Sequence, residues 1–167
     1  DVAGVGIAAQ EGLRVGVKSL DALAVPGVEP AQEMLDEGRT YVLNLRKGLK
    51  WSDGHPLTAE DFIFTYEDVL LNKEITPLFP AWLKVGGEPV RVTAPNPYTL
   101  VYEFAASYGI FPQAMAFSGC AGLLLPKHYM AQFHPKYAGL KTVEQLAKSE
   151  GLGLWGEIFL KRADYSF

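Results

Sequence analysis

Gly38-Arg39-Thr40-Tyr41-Val42-Leu43-Asn44-Leu45-Arg46, followed closely by Trp51-Ser52-Asp53-Gly54-His55-Pro56-Leu57-Thr58-Ala59-Glu60-Asp61-Phe62, decides the fold class. In the first run Tyr41, Leu43 and Leu45 alternate with Val42, Asn44 and Arg46, the period of a strand with one buried face. Asp36-Glu37-Gly38-Arg39 ahead of it reads as a turn, and Asp53-Gly54 as another, because glycine supplies positive φ at little steric cost. Thr58 then opens a helix. Its hydroxyl can accept from the Asp61 N–H while the Asp61 carboxylate reaches back, a capping box. Glu60 and Asp61 also sit at the positive end of the helix dipole, which together with solvation accounts for these carboxylates and for Glu67 and Asp68. Phe62, Ile63, Tyr66, Val69 and Leu70 recur at helical spacing on one face, carrying the helix to about Leu71.

Downstream, a strand over 88–94 and another over 98–104 flank Pro95-Asn96-Pro97. Tyr98, Leu100, Tyr102 and Phe104 share one face, which predicts an antiparallel hairpin with Pro97 in a loop of three or four residues. A short helix is expected over 108–116 and a second after Pro126, which suits a first helical turn. A third is expected capped by Thr142, and a fourth over 154–160. Upstream, Val15 and Val17 alternate with polar neighbours as in a short strand, but residues 1–35 carry the weakest pattern. The sum is α+β: a small antiparallel sheet with packed helices.

The chain has 167 residues, 49% apolar and 20% charged, with a formal charge of −4. One globular unit able to bury its own core is the expectation at this length. The acidic balance and the lack of a Lys/Arg run argue against a nucleic-acid partner. A single cysteine, Cys120, excludes an internal disulfide and a multi-cysteine zinc site. Asp1-Val2-Ala3-Gly4 is not the basic start of a signal peptide. The apolar stretch Gly109 to Pro126 is too interrupted to span a membrane and reads as buried core.

Little of this supports bond-breaking chemistry. Gly151-Leu152-Gly153-Leu154-Trp155-Gly156 fits G-x-G-x-x-G, but a helix precedes it where a dinucleotide site needs a strand, so its glycines belong to helix ends and turns. His55, His128 and His134 lack metal-ligand spacing and read as surface or capping residues; no metal and no cofactor is expected. Cys120 with His128 is the one conceivable nucleophile pair, yet a lone cysteine in an apolar stretch is ordinarily a small buried hydrophobe. Adjacent carboxylates on a helix point about 100° apart and do not converge on one atom. Trp51, Phe79, Trp82, Phe111 and Phe117 lie in or beside loops, where aromatics either line a cleft or cap the core; capping is the commoner outcome.

The run from Gly38 through Phe62, continued by Ile63-Phe64-Thr65-Tyr66-Glu67, resembles the signature of the family 5 extracellular solute-binding proteins, the oligopeptide, dipeptide and nickel receptors of ABC importers. The run Val90 to Phe104 is similar to the family's next hairpin, and Leu125-Pro126-Lys127-His128-Tyr129 to its next helix start. The likeness covers residues 36–137; residues 1–35 match poorly, and 138–167 form a helical tail resembling an insertion in some members. Complete members are several times longer, so the resemblance implies that residues 1–167 are a single-lobe fragment: a subdomain of the first lobe of a two-lobed receptor. Such a receptor sits in the periplasm or on the cell surface, lipid-anchored, as a monomer. It closes around a peptide or other small solute and delivers it to a membrane permease. By the same likeness, Phe79 and Trp82 and the crossing at Ser118, Gly119 and Cys120 are expected at the cleft edge, with no catalytic residue. Two other readings compete: a small cysteine-dependent hydrolase using Cys120 and His128, and a stand-alone protein-interaction domain.

Overall fold

The computed structural model describes residues 32–118 and 124–163. The strand expected near Val15 lies outside them. Four strands, β1 (Gln32–Leu35), β2 (Thr40–Asn44), β5 (Arg91–Asn96) and β6 (Thr99–Glu103), form an antiparallel sheet in the order β1-β2-β6-β5. A small ribbon, β3 (Lys84–Val85) with β4 (Glu88–Pro89), precedes β5. The β1–β2 turn runs through Asp36, Glu37 and Gly38, all at positive φ. At Gly38, where φ is +85°, a Cβ would also stand 3.3 Å from the Tyr41 hydroxyl, so both backbone and packing favour glycine.

The alternation read in Thr40–Arg46 holds: Tyr41, Leu43 and Leu45 are buried. The hairpin holds too, but its loop is shorter than expected. Asn96 pairs directly with Thr99, leaving a two-residue turn. The missing residue sits inside β5, where the register slips between Thr93 and Asn96. Pro95 lies within that slip; it has no N–H for the ladder and is tolerated at a bulge of this edge strand.

The helix expected after Thr58 is α1 (Ala59–Phe64), continuing as a π-helical turn over Thr65–Leu70. Its capping box is closed, with the Asp61 carboxylate accepting the Thr58 N–H at 3.0 Å. The one-face reading needs correction. Phe62, Tyr66 and Leu70 enter the sheet's core with Leu43, Val92, Leu100 and Tyr102. Phe64 and Val69 point into a second core, made with Leu125, Met130, Phe133, Val143, Ile158 and Phe159. The element is therefore wedged between two apolar clusters. Thr65, between them, donates to the Asp61 carbonyl at 2.8 Å and accepts the Leu125 N–H at 2.9 Å.

The remaining helices are α2 (Phe111–Ser118), α3 (Lys127–Met130), α4 (Pro135–Ala138), α5 (Leu140–Ser149) and α6 (Trp155–Ala163). Gly139, not Thr142, occupies the N-cap of α5, so Thr142 lies inside the helix. The stretch 109–126 is only partly core: Phe111, Met115, Leu124 and Leu125 are buried, but Ile110, just ahead of α2, and Phe117 on it stand 62% and 95% exposed. Gly151 follows α5 at positive φ and Gly156 lies in α6, the turn and helix-end roles expected of them.

Candidate functional site

Asp61 organises the side of the fold where the Trp51–Pro56 turn meets α1 and α3. Oδ2 accepts the Thr58 N–H and, at 3.4 Å, the Trp51 indole N–H; Oδ1 accepts the Lys127 N–H at 2.9 Å. The residue is buried, so its role is to satisfy three donors and not to be solvated at a helix end. Asp68 departs from the solvated reading in the same way. It is buried, and its carboxylate accepts Lys136 Nζ at 2.7 Å and the Tyr137 hydroxyl at 2.6 Å. The hydrogen bond to Asp68 raises the Lys136 ammonium's pKa, while burial is the main cause raising that of Tyr137. Partners 68 and 69 positions away leave no local signal in the sequence.

The aromatics split. Phe111 is fully buried and its ring meets those of Tyr41, Tyr102 and Phe104 at 4.9, 5.2 and 4.8 Å. Trp82, on the helical turn Ala81–Leu83, stacks on Phe111 at 6.3 Å and 22°. Phe79 meets Tyr66 edge-on at 6.2 Å, with Lys84 Nζ 5.3 Å from its ring centre. Both are half-buried at the margin of the first core and keep an open side. Ser118 ends α2, whose Phe111 is the ring beneath Trp82, while Phe79 rests on Tyr66. Gly119 and Cys120 fall outside the described residues.

The histidines divide between a surface pair and a buried cap. His134 is buried, accepts the Lys136 N–H through Nδ1 and donates through Nε2 to the Asp68 carbonyl; burial lowers its pKa and keeps it neutral. His128 Nε2 lies 2.7 Å from Asp53, and its ring stacks on His55. The hydrogen bond from the His55 N–H, then that from His128, holds the Asp53 carboxyl below its usual range. His128, the imagined base of a thiol hydrolase, is thus engaged with Asp53. No cluster of three metal-ligating side chains occurs among the described residues. An open groove of about 450 Å³ lies between α1 and β5, lined by Glu60, Ile63, Glu67, Thr93, Lys127 and Lys136.

Tyr66, beneath Phe79, donates from its hydroxyl to the Val90 carbonyl just ahead of β5. Burial, with the nearby Glu67 charge, pushes its pKa from 10.0 up to about 12. The folded chain then keeps a proton that the unfolded chain gives up near pH 10. This contribution is intact below about pH 10 and is lost as pH rises towards about 12. Urea midpoints should accordingly fall more steeply over that range in the parent than in Tyr66→Phe, and parallel curves would refute the coupling.

The family described as bacterial extracellular solute-binding proteins, family 5 Middle, matches residues 24–150. The periplasmic alpha-galactoside-binding protein of Rhizobium meliloti (strain 1021) is 31% identical over 125 residues, 74% of this chain and 18% of that protein. The periplasmic oligopeptide-binding protein OppA of Escherichia coli (strain K12) is 40% identical over 51 residues, 30% of this chain and 9% of that one. Among solved structures, an oligopeptide-binding protein OppA superposes with a TM-score of 0.70 at 39% identity, covering 81% of this chain and 20% of its own. The periplasmic binding protein MelB of Agrobacterium fabrum C58, in complex with stachyose, does so with 0.55 at 28% identity, over 71% of this chain and 18% of its own. The chain thus spans at most about a fifth of the length of these relatives.

Proposed function

This chain belongs to the bacterial extracellular solute-binding proteins of family 5, and from that premise we propose that it is a subdomain of the first lobe of a receptor that closes around a solute and delivers it to an ABC importer. The observation that carries this reading is the family match over residues 24–150, in a chain whose fold is that of an oligopeptide-binding protein at a TM-score of 0.70. Phe79, Trp82, Ser118, Gly119 and Cys120 form the cleft edge. The open sides of Phe79 and Trp82 support this, because rings locked by Tyr66 and Phe111 offer contact area at little further cost in rotamer entropy. The receptor works outside the cytoplasmic membrane, tethered by lipid, as a monomer that docks on a permease, and this chain performs no catalysis. The chain is a single lobe fragment, with a family-matching core over 36–137 between a poorly matched N-terminal segment, 1–35, and a helical tail, 138–167.

The solute is a peptide, held through backbone hydrogen bonds with its side chains in roomy pockets. An oligosaccharide is the second reading, favoured because the relative aligned over 74% of this chain binds alpha-galactosides and a structural neighbour holds stachyose. Calorimetry on the complete receptor separates the two, with mixed di- to pentapeptides in one arm and stachyose in the other. Phe79→Ala and Trp82→Ala in that receptor should each weaken the bound class by about tenfold. Unchanged affinity in both variants removes these residues from the cleft. Heat from neither class removes both ligand readings, and sub-micromolar binding by the 167-residue chain alone overturns the receptor-fragment reading.

A further inference from the structure

The Trp51–Pro56 turn and the start of α3 are joined by two stacked histidines. The His55 and His128 ring centres lie 3.8 Å apart with the planes 9° from parallel. Hydrogen bonds assign each tautomer. His55 Nδ1 lies 3.1 Å from the Pro56 carbonyl oxygen, which only accepts, so Nδ1 carries the proton and Nε2 is bare. His128 Nε2 lies 2.7 Å from a carboxylate oxygen of Asp53 and donates to it. His128 Nδ1 is buried without a partner among the described residues. Asp53 is tied back to the turn by accepting the His55 N–H at 2.9 Å.

From this juxtaposition we propose that His55 and His128, bridged by Asp53, form a proton-gated clasp that holds the turn on α3 while the pair carries at most one proton and releases it when the pair carries two. A neutral stack is apolar contact, and one imidazolium laid on a neutral ring gains from its π-face. Two imidazolium rings at contact distance repel, and the proton added at His128 Nδ1 meets no acceptor. One carboxylate, Asp53, faces both rings; its single negative charge offsets one imidazolium and leaves the second uncompensated. From α3 comes Lys127, whose Nζ is neutralised by Glu60 of α1 at 3.1 Å. Asp61 of α1 is occupied by three N–H donors. The family is described as extracellular, where such a clasp would meet the pH of the medium directly.

The test is an NMR titration of the whole chain from about pH 8 to about pH 4.5, across the range in which histidine takes up its proton. It follows the ring C–H signals of His55 and His128 and hydrogen exchange of the Trp51 indole N–H, whose ring centre is 6.5 Å from that of His128. Both histidines should titrate with Hill slopes below 1, and His55→Gln should restore unit slope at His128. Relative to the intrinsic rate at each pH, protection of the Trp51 indole N–H should fall by about tenfold at the acid end in the parent and stay constant in His55→Gln. One-site curves unaffected by removal of the partner, or an equal acid loss of Trp51 protection in His55→Gln, would overturn the clasp. His55 lies on an exposed turn, so this variant keeps the fold and carries the test without relying on a substitution at His128.

Discussion

Asp61→Ala is expected to cost the folded chain about 3 kcal/mol, because one truncation strands the Thr58, Lys127 and Trp51 N–H groups together. Loss of the helix cap alone costs about 1 kcal/mol, and half-buried donors without partners supply the rest. The damage is not confined to α1. The turn at 51–56, the α1 entry and the α3 entry all converge on this carboxylate, so all three should loosen at once. Asp61→Asn separates geometry from size. It keeps an acceptor on one side and turns an NH₂ donor towards a donor on the other, so about half the loss should remain. Urea denaturation with matched slopes measures both. A loss below about 1 kcal/mol for Asp61→Ala would mean that water replaces the carboxylate and that Asp61 is an ordinary exposed cap.

Phe111→Ala is expected to cost about 4 kcal/mol, at the upper range for a buried ring, because its side is walled by Tyr41, Tyr102 and Phe104 and cannot collapse without moving the sheet. Its second effect is local. Trp82 stacks on this ring, and the ring begins α2, so truncation should free both the Trp82 indole and the helix that leads to Ser118. Red-shifted tryptophan emission and raised amide exchange in α2 should accompany the loss of stability. Phe111→Leu, which keeps most of the volume, should lose less than half as much. An unchanged emission spectrum in Phe111→Ala would show that Trp82 is held by other contacts and that Phe111 does not support the proposed cleft edge.

The parts legible in the sequence are those whose causes lie within a few residues. The alternation at Tyr41, Leu43 and Leu45 survives folding because sheet geometry imposes a period of two on any strand with one buried face. The Thr58–Asp61 box survives because it is closed by residues three apart. The readings that needed correction involve distant partners. Val69 shares the helical spacing of Phe62 and Tyr66, but a second set of helices, contributed from Leu125 onward, draws it into another core. Asp68 looks solvated until Lys136 and Tyr137 arrive from α4. The two-residue hairpin loop depends on where β5 absorbs its extra residue, and only the pairing with β6 reveals that.

The candidate site divides the same way. Phe79 and Trp82 are recognisable as loop aromatics beside prolines, but a cleft residue and a core cap have identical local surroundings in a sequence. Tyr66 and Phe111, which lock one side of each ring and leave the other open, come from a different helix in each case. The stacking of His55 on His128 had no signal at all, since the two rings meet only after α3 has folded back over the turn.

By itself the sequence determined the α+β class, the strand faces, the helix cap and, through three ordered motifs, the family, because each rests on short-range backbone geometry or local pattern. Tertiary structure alone decided which carboxylates are buried, which core each apolar residue joins and which rings stack, because these depend on separate elements meeting in space, for Lys127, Lys136 and Tyr137 across more than sixty positions.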